Sequence, residues 1–159
     1  MDKEQLEDLM ITSEDMMYHV AKTLLYNDAD CEDAIQEAIV KAFSKRHTLR
    51  SDDYAKTWLI RILINECYAI MRAEKKLVSL ENVKVEKSIE TKDYSDLYQA
   101  IYQLPKKMKL AITLYYMEGY SVKEIAKIQR TTESAIKNQL LRARKCLKKE
   151  LHCWEVHSI

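Results

Sequence analysis

One glycine, Gly119, and one proline, Pro105, are the only residues of their kinds in a chain of 159. Tight turns between strands depend on residues with free or pre-set φ, above all these two, so a sheet with several hairpins has almost nothing to turn on here. Helix interiors are weakened by both residues and do without them. The chain is therefore expected to be all-α, and apolar residues do recur at helical spacing along most of it.

That spacing marks out the elements. Leu6, Met10, Met17, Val20 and Leu24 predict a first helix running to about Tyr26. Asn27, Asp28 and Asp30 form a polar break with N-cap chemistry. Cys31, Ile35, Ala38, Ile39 and Ala42 then give the buried stripe of a second helix. Ser44 to Asp53 (SKRHTLRSDD) has no apolar period and reads as a loop, after which Ser51 or Asp52 caps a third helix to about Lys75. Residues 79–93 are polar, mixed in charge and weakly periodic, as expected of a linker. The expected organisation is thus two small helical bundles, 1–78 and 94–159, joined by that flexible linker.

In the second bundle, Leu97, Ile101 and Leu104 form a short stripe ending at Pro105, which fits the first turn of the next helix. That helix should run through Met108, Ile112 and Tyr115 to Glu118, with Gly119 as the left-handed residue that stops it. Ser121 and Glu124 have the S-x-x-E spacing of a capping box. Thr132 is placed to cap a long last helix, so Ser121 to Leu151 has the pattern of a helix-turn-helix.

Charge is sorted along the chain although the net is only +1. Residues 1–40 hold eleven acids and two bases; residues 41–80 hold nine bases and four acids; residues 101–159 hold twelve bases and five acids. Two basic blocks imply two polyanion contacts, and the acidic front implies a different, protein partner. Solvated helix surface is the plainer alternative for many of these charges.

Three constellations carry the functional reading. On the last helix, Ile136, Leu140, Ala143, Leu147 and Leu151 fall on one stripe, which Ile125 and Ile128 should pack against. The opposite side carries Lys137, Asn138, Leu141, Arg142, Arg144, Lys145, Lys148 and Lys149. Such a helix suits a major groove: its bases neutralise phosphate, Asn138 and Gln139 offer amides to adenine, and Leu141 suits a thymine methyl. A helix start capped by Thr132 leaves N–H groups for a phosphate. On the third helix, Trp58, Arg61, Asn65, Tyr68 and Arg72 share one face beside the basic loop of Lys45, Arg46, Arg50 and Lys56. Rings interleaved with bases and an amide suit unpaired bases, although Trp58 could equally be core. Finally, Asp33, Gln36 and Glu37 share an exposed face, either a docking surface or solvated helix.

Enzymatic chemistry is not expected. His19, His47, His152 and His157 are scattered, and neither a nucleophile–base pair nor a phosphate-binding loop is present. Cys31, Cys67, Cys146 and Cys153 have no framework spacing. Cys146, Cys153 and His157 could share a helix face, but packed or idle thiols are the expected reading, and neither cofactor nor metal is called for. With no signal peptide and no long apolar run, the expected setting is cytoplasmic, without membrane insertion.

Two blocks together resemble a known family. The stretch DCEDAIQEAIVKAFSKRHTLRSDDYAKTWLIRILINECYAIMRAEKK is similar to region two, and LPKKMKLAITLYYMEGYSVKEIAKIQRTTESAIKNQLLRARKCLKKEL to region four, of bacterial sigma factors of the extracytoplasmic-function class. The resemblance implies a subunit that binds core RNA polymerase and directs it to promoter DNA. It implies that Asp33, Gln36 and Glu37 dock on the polymerase clamp. Arg46, Arg50, Lys56, Arg61 and Asn65 would hold the melted minus-ten strand. Thr132, Lys137, Asn138, Leu141, Arg142 and Arg144 would engage the minus-thirty-five duplex. An anti-sigma factor is a further implied partner. The chain departs from the family pattern at Arg130, where a turn glycine is usual, at Gln139, where arginine is common, and at Tyr68–Ala69. The rival reading is a stand-alone helix-turn-helix regulator, which would need a duplex affinity of its own.

Overall fold

In a computed structural model, the backbone is described for residues 1–81 and 95–157 and the side chains for 1–77, 97 and 99–149. Every regular element among the described residues is helical, as the lack of turn formers implies. The chain divides into two compact units, Met1–Glu90 and Thr91–Ile159.

Among the described residues the first unit holds four α-helices where three were expected. The first predicted helix is two, α1 (Lys3–Thr12) and α2 (Glu14–Leu25), broken at the buried Ser13. The break has a local cause: Thr12 turns its hydroxyl back onto the carbonyls of Asp8 and Leu9, a competition that weakens the helix there. Asp2 and Gln5 cap α1 reciprocally. Helix α2 ends in a γ-turn at Tyr26, with φ 64° and ψ −45°, and the Asn27 N–H donates to the Leu25 carbonyl at 2.7 Å. The Asn27 side chain then accepts from the Asp30 N–H, opening α3 (Asp28–Ser44) as its polar break suggested. The buried stripe of α3 is Cys31, Ala34, Ala38 and Ala42; Ile35 and Ile39 are half-buried at its margin. Small residues there let α4 (Ala55–Glu81) pack close with Leu59, Ile60, Leu63 and Cys67.

The loop between α3 and α4 contains two single 3₁₀ turns, Arg46–Thr48 and Asp52–Tyr54. Ser51 caps the second of these turns and not α4 itself, accepting from the Asp53 N–H. Lys41 of α3 donates to the carboxylate of Glu66, a largely buried acid on α4, and this bond holds its ammonium protonated above the ordinary lysine value. Helix α4 continues to Glu81; residues 82–94, which contain the rest of the expected linker, lie outside the described residues.

The second unit runs α5 (Ser95–Tyr102), α6 (Lys106–Ile112), a π-helical segment (Thr113–Met117), α7 (Val122–Gln129) and α8 (Glu133–His157). Leu97 is exposed, so the inward stripe of α5 is Ala100, Ile101 and, just past the helix, Leu104. Pro105 stands one position earlier than expected, as the N-cap residue, its carbonyl accepting from Met108 and Lys109. The predicted single helix to Glu118 stops being α-helical after Ile112, and the wider π turns end at Gly119, whose φ is +70°.

Candidate nucleic-acid interface

Helices α7 and α8 form a helix-turn-helix in their local geometry. Ser121 Oγ accepts from the Glu124 N–H at 3.1 Å and donates to the Glu124 carboxylate. The side-chain half of the capping box thus closes on the Ser121 hydroxyl. Arg130 ends α7 in the left-handed region at φ 54°, and the Thr131 N–H reaches back to the Ala126 carbonyl at 3.0 Å. This is a glycine's place occupied by arginine. Thr132 Oγ1 accepts from the Ala135 N–H at 3.1 Å and caps α8 as expected.

The apolar face of α8 is buried through Ile136, Leu140 and Ala143 against Ile125 and Ile128, while Leu147 is half-buried. Leu151, Cys153 and the side chain of His157 lie outside the described residues, and Cys146 is exposed. Lys137, Asn138, Leu141, Arg142, Arg144, Lys145, Lys148 and Lys149 are all exposed on the other side. Gln139 is not with them. Its Oε1 is buried and makes no hydrogen bond among the described residues. The expectation that Gln139 offers an amide to adenine is therefore corrected: it follows Ile136 by three residues and precedes Ala143 by four, which puts it at the core margin.

Arg144 is exposed but held. Its Nε donates to Tyr116 Oη at 2.5 Å, and its guanidinium lies 5.6 Å from the Tyr116 ring centre and 5.9 Å from that of Tyr115. Sequence reasoning missed Tyr116, which is twenty-eight residues away and carries no local signal.

In the first unit, the stripe on α4 flanks the core and does not enter it. Trp58, Arg61 and Tyr68 are half-buried, and Asn65 and Arg72 are exposed. Burial pushes the Tyr68 hydroxyl above its ordinary pKa, with the neighbouring Cys67 adding to the effect. Arg50 and Lys56 are exposed and Arg46 is half-buried, all on the loop or first turn ahead of that stripe. Tyr54, 59% exposed, stands four residues before Trp58 and extends the same stripe. An i−4 check on Trp58 would have found it.

Asp33, Gln36 and Glu37 are exposed on α3, opposite the alanines that face α4. Val40, 61% exposed, continues their row by one turn. Asp28, at the start of the same helix, is engaged within its own unit: it accepts from Lys22 Nζ at 2.9 Å and from Tyr18 Oη at 3.3 Å.

Comparison with known proteins accounts for both units. Residues 9–77 match the family model for sigma-70 region 2, and residues 94–147 that for sigma-70, region 4. The RNA polymerase sigma factor SigV of Bacillus subtilis (strain 168) is 31% identical over 139 residues, covering 84% of this chain and 83% of that protein. The ECF RNA polymerase sigma factor SigM of Mycobacterium tuberculosis is 25% identical over 147 residues, 90% of this chain and 75% of that one. Among solved structures, the sigma factor RpoE in complex with the anti-sigma factor NepR from Bartonella quintana superposes with a TM-score of 0.84 at 25% identity, covering 94% of this chain and 98% of that one. CnrH, in complex with the cytosolic domain of CnrY, shares the fold with a TM-score of 0.72 at 18% identity, over 96% and 90% of the two chains.

Proposed function

The chain belongs to the sigma-70 family of RNA polymerase sigma factors, in its extracytoplasmic-function class, and on that premise we propose how its surfaces divide the work of promoter-directed initiation. As a sigma factor it directs transcription. Residues 1–78 serve as the polymerase and minus-ten domain, 79–93 as the tether, and 94–159 as the minus-thirty-five domain.

The observation that carries this division is that three polar surfaces of distinct character stand on separate elements, the second of them half-buried at Arg46 and Arg61. Asp33, Gln36 and Glu37 on α3 dock on core RNA polymerase, where their charge requires a basic counterpart. Arg46, Arg50, Lys56, Arg61 and Asn65 hold the displaced minus-ten strand, with the half-buried Trp58 as a stacking surface beside them. Thr132, Lys137, Asn138, Leu141, Arg142 and Arg144 meet the minus-thirty-five duplex: the cations bind phosphate, Asn138 reads a base edge, and the 48% exposed Leu141 meets a thymine methyl.

The subunit supplies binding and positioning, while the polymerase supplies the chemistry. It works in the cytoplasm with the polymerase; no described helix is long and apolar enough to cross a membrane. By analogy with the complexes that its structural relatives form, an anti-sigma factor covers these surfaces when the regulon is silent.

Asp33→Arg is expected to abolish co-purification with core polymerase while far-UV circular dichroism stays unchanged. Retained co-purification would refute the docking face. Lys137→Ala combined with Arg142→Ala is expected to weaken transcription from promoters that depend on the minus-thirty-five element and to leave initiation from a pre-melted template intact. No observation favours the stand-alone regulator; tight duplex binding by the free chain, without polymerase, would revive it.

A further inference from the structure

We infer that Tyr116, with Tyr115 behind it, is a positioning residue for duplex binding: the pair forms an aromatic cradle that fixes the Arg144 guanidinium on α8 so that its remaining donors face a DNA phosphate. The inference rests on the reading of α8 as the duplex-binding helix and adds a group outside the helix-turn-helix to it.

Three observations on the second unit carry it. First, Arg144 is exposed on the same side of α8 as Lys137, Leu141 and Lys148, a surface with no acidic partner at Arg144 among the described residues. An arginine in that position ordinarily samples many rotamers. Second, this one is held: Nε donates to Tyr116 Oη at 2.5 Å, and the guanidinium carbon stands 5.6 and 5.9 Å from the ring centres of Tyr116 and Tyr115. The hydrogen bond uses the Nε edge of the planar group. The Nη edge, with the fork geometry that matches phosphate oxygens, is left to meet a ligand. Third, the cradle is built by an irregular backbone. Thr113–Met117 is π-helical, its register marked by the Glu118 N–H donating to the Thr113 carbonyl at 3.2 Å. The two consecutive rings meet edge to face, their centres 4.9 Å apart. Tyr116 remains 57% exposed, so it contributes little to the core. Holding the arginine is the structural task its hydroxyl performs.

A pre-ordered cation loses less freedom on binding than a mobile one, so the cradle raises affinity without adding a charge. That distinction gives the test. Holoenzyme reconstituted with full-length chain is titrated with a fluorescent duplex carrying the minus-thirty-five element, across a salt series. The probes are Arg144→Ala, Arg144→Lys, Tyr116→Phe and the Tyr116→Phe/Arg144→Ala double variant, each checked for an unchanged thermal melt. Arg144→Ala should lower affinity and flatten the log–log salt slope by about 1, as the loss of one phosphate contact does. Tyr116→Phe keeps the ring and the charge, and should lower affinity about three- to tenfold with the slope unchanged. Arg144→Lys should behave likewise. In the double variant Tyr116→Phe should add nothing to Arg144→Ala.

The inference is overturned if Tyr116→Phe costs as much without Arg144 as with it, or if Arg144→Ala leaves the slope unaltered. Lys137→Ala and Arg142→Ala separate this result from failure of the broader reading. If they flatten the slope while Arg144→Ala does not, the duplex helix stands and the cradle falls. If none of the three does, α8 is not the duplex-binding helix.

Discussion

Arg130 offers a quantitative test of how the helix-turn-helix is built. It occupies the left-handed region at φ 54° and ψ 50°, where an L-residue's Cβ crowds the following carbonyl at a cost of about 1–2 kcal/mol. Arg130→Gly removes that strain but gives the unfolded chain extra freedom, worth about 0.5–1 kcal/mol in the opposite sense. The net expectation is a gain of about 0.5–1 kcal/mol. Native-state hydrogen exchange reads this directly at the amides of Ile125, Ile128, Ile136, Leu140 and Ala143, which lie in the buried core of the second unit. Their exchange should slow about two- to fivefold in Arg130→Gly. Arg130→Ala keeps the Cβ and discards the exposed guanidinium, so it should stay within about twofold of the wild type. Arg130→Asn should fall between the two, and β-branched Arg130→Val should exchange fastest of all. If glycine exchanges as fast as alanine, the turn is not strained and the geometric argument fails.

Two further expectations concern the thiols and the stability of the first unit. Under native conditions at neutral pH, Cys146 should react readily with a thiol reagent while the buried Cys31 and Cys67 resist until the unit unfolds; equal reactivity of all three would contradict the packing. Stability should also fall in alkali. Burial pushes the Cys67 thiol from 9.0 up to about 12, so above pH 9 the unfolded state binds fewer protons and is favoured. The Glu66 hydrogen bond raises Lys41 above 10.5, so its contribution is present below that pH and is lost as the pH rises through the raised value. In a Trp154→Phe background, Trp58 fluorescence should show urea midpoints declining from about pH 9, and Cys67→Ala should flatten the first part of the decline. An unchanged slope in Cys67→Ala would remove the thiol as the cause.

Much of this was legible in the sequence because long helices repeat their signal. The phase of α8 is fixed by Ile136, Leu140 and Ala143, and its exposed cations follow from that phase. The chemistry of Gln139 suggests a base contact, while its register puts it at the core margin. The helix start signals at Asn27, Ser121 and Thr132 acted as caps because capping is local hydrogen bonding between residues two or three apart. The break at Ser13 was missed since it needs neither glycine nor proline, only a hydroxyl competing for carbonyls. The Tyr116–Arg144 contact lay beyond reach for another reason: it joins elements far apart in sequence, across a backbone irregularity that no residue type announces.

Helix α4 is a single uninterrupted rod of 27 residues, about 40 Å long at 1.5 Å per residue. Trp58 and Asn65 are spaced along it by about 10 Å, and nothing between them can yield. The groups we propose to face nucleic acid are therefore graduations on a ruler. The ruler tolerates changes of lettering but not of length. One residue inserted directly after Trp58 would turn everything beyond it by about 100°, swinging Leu63 and Cys67 out of the core and aligning neither set of positions. Across descendants of this chain, drift in promoter preference should arise by exchange of side chains along α4. Insertions and deletions should collect before Ala55 or after Glu81.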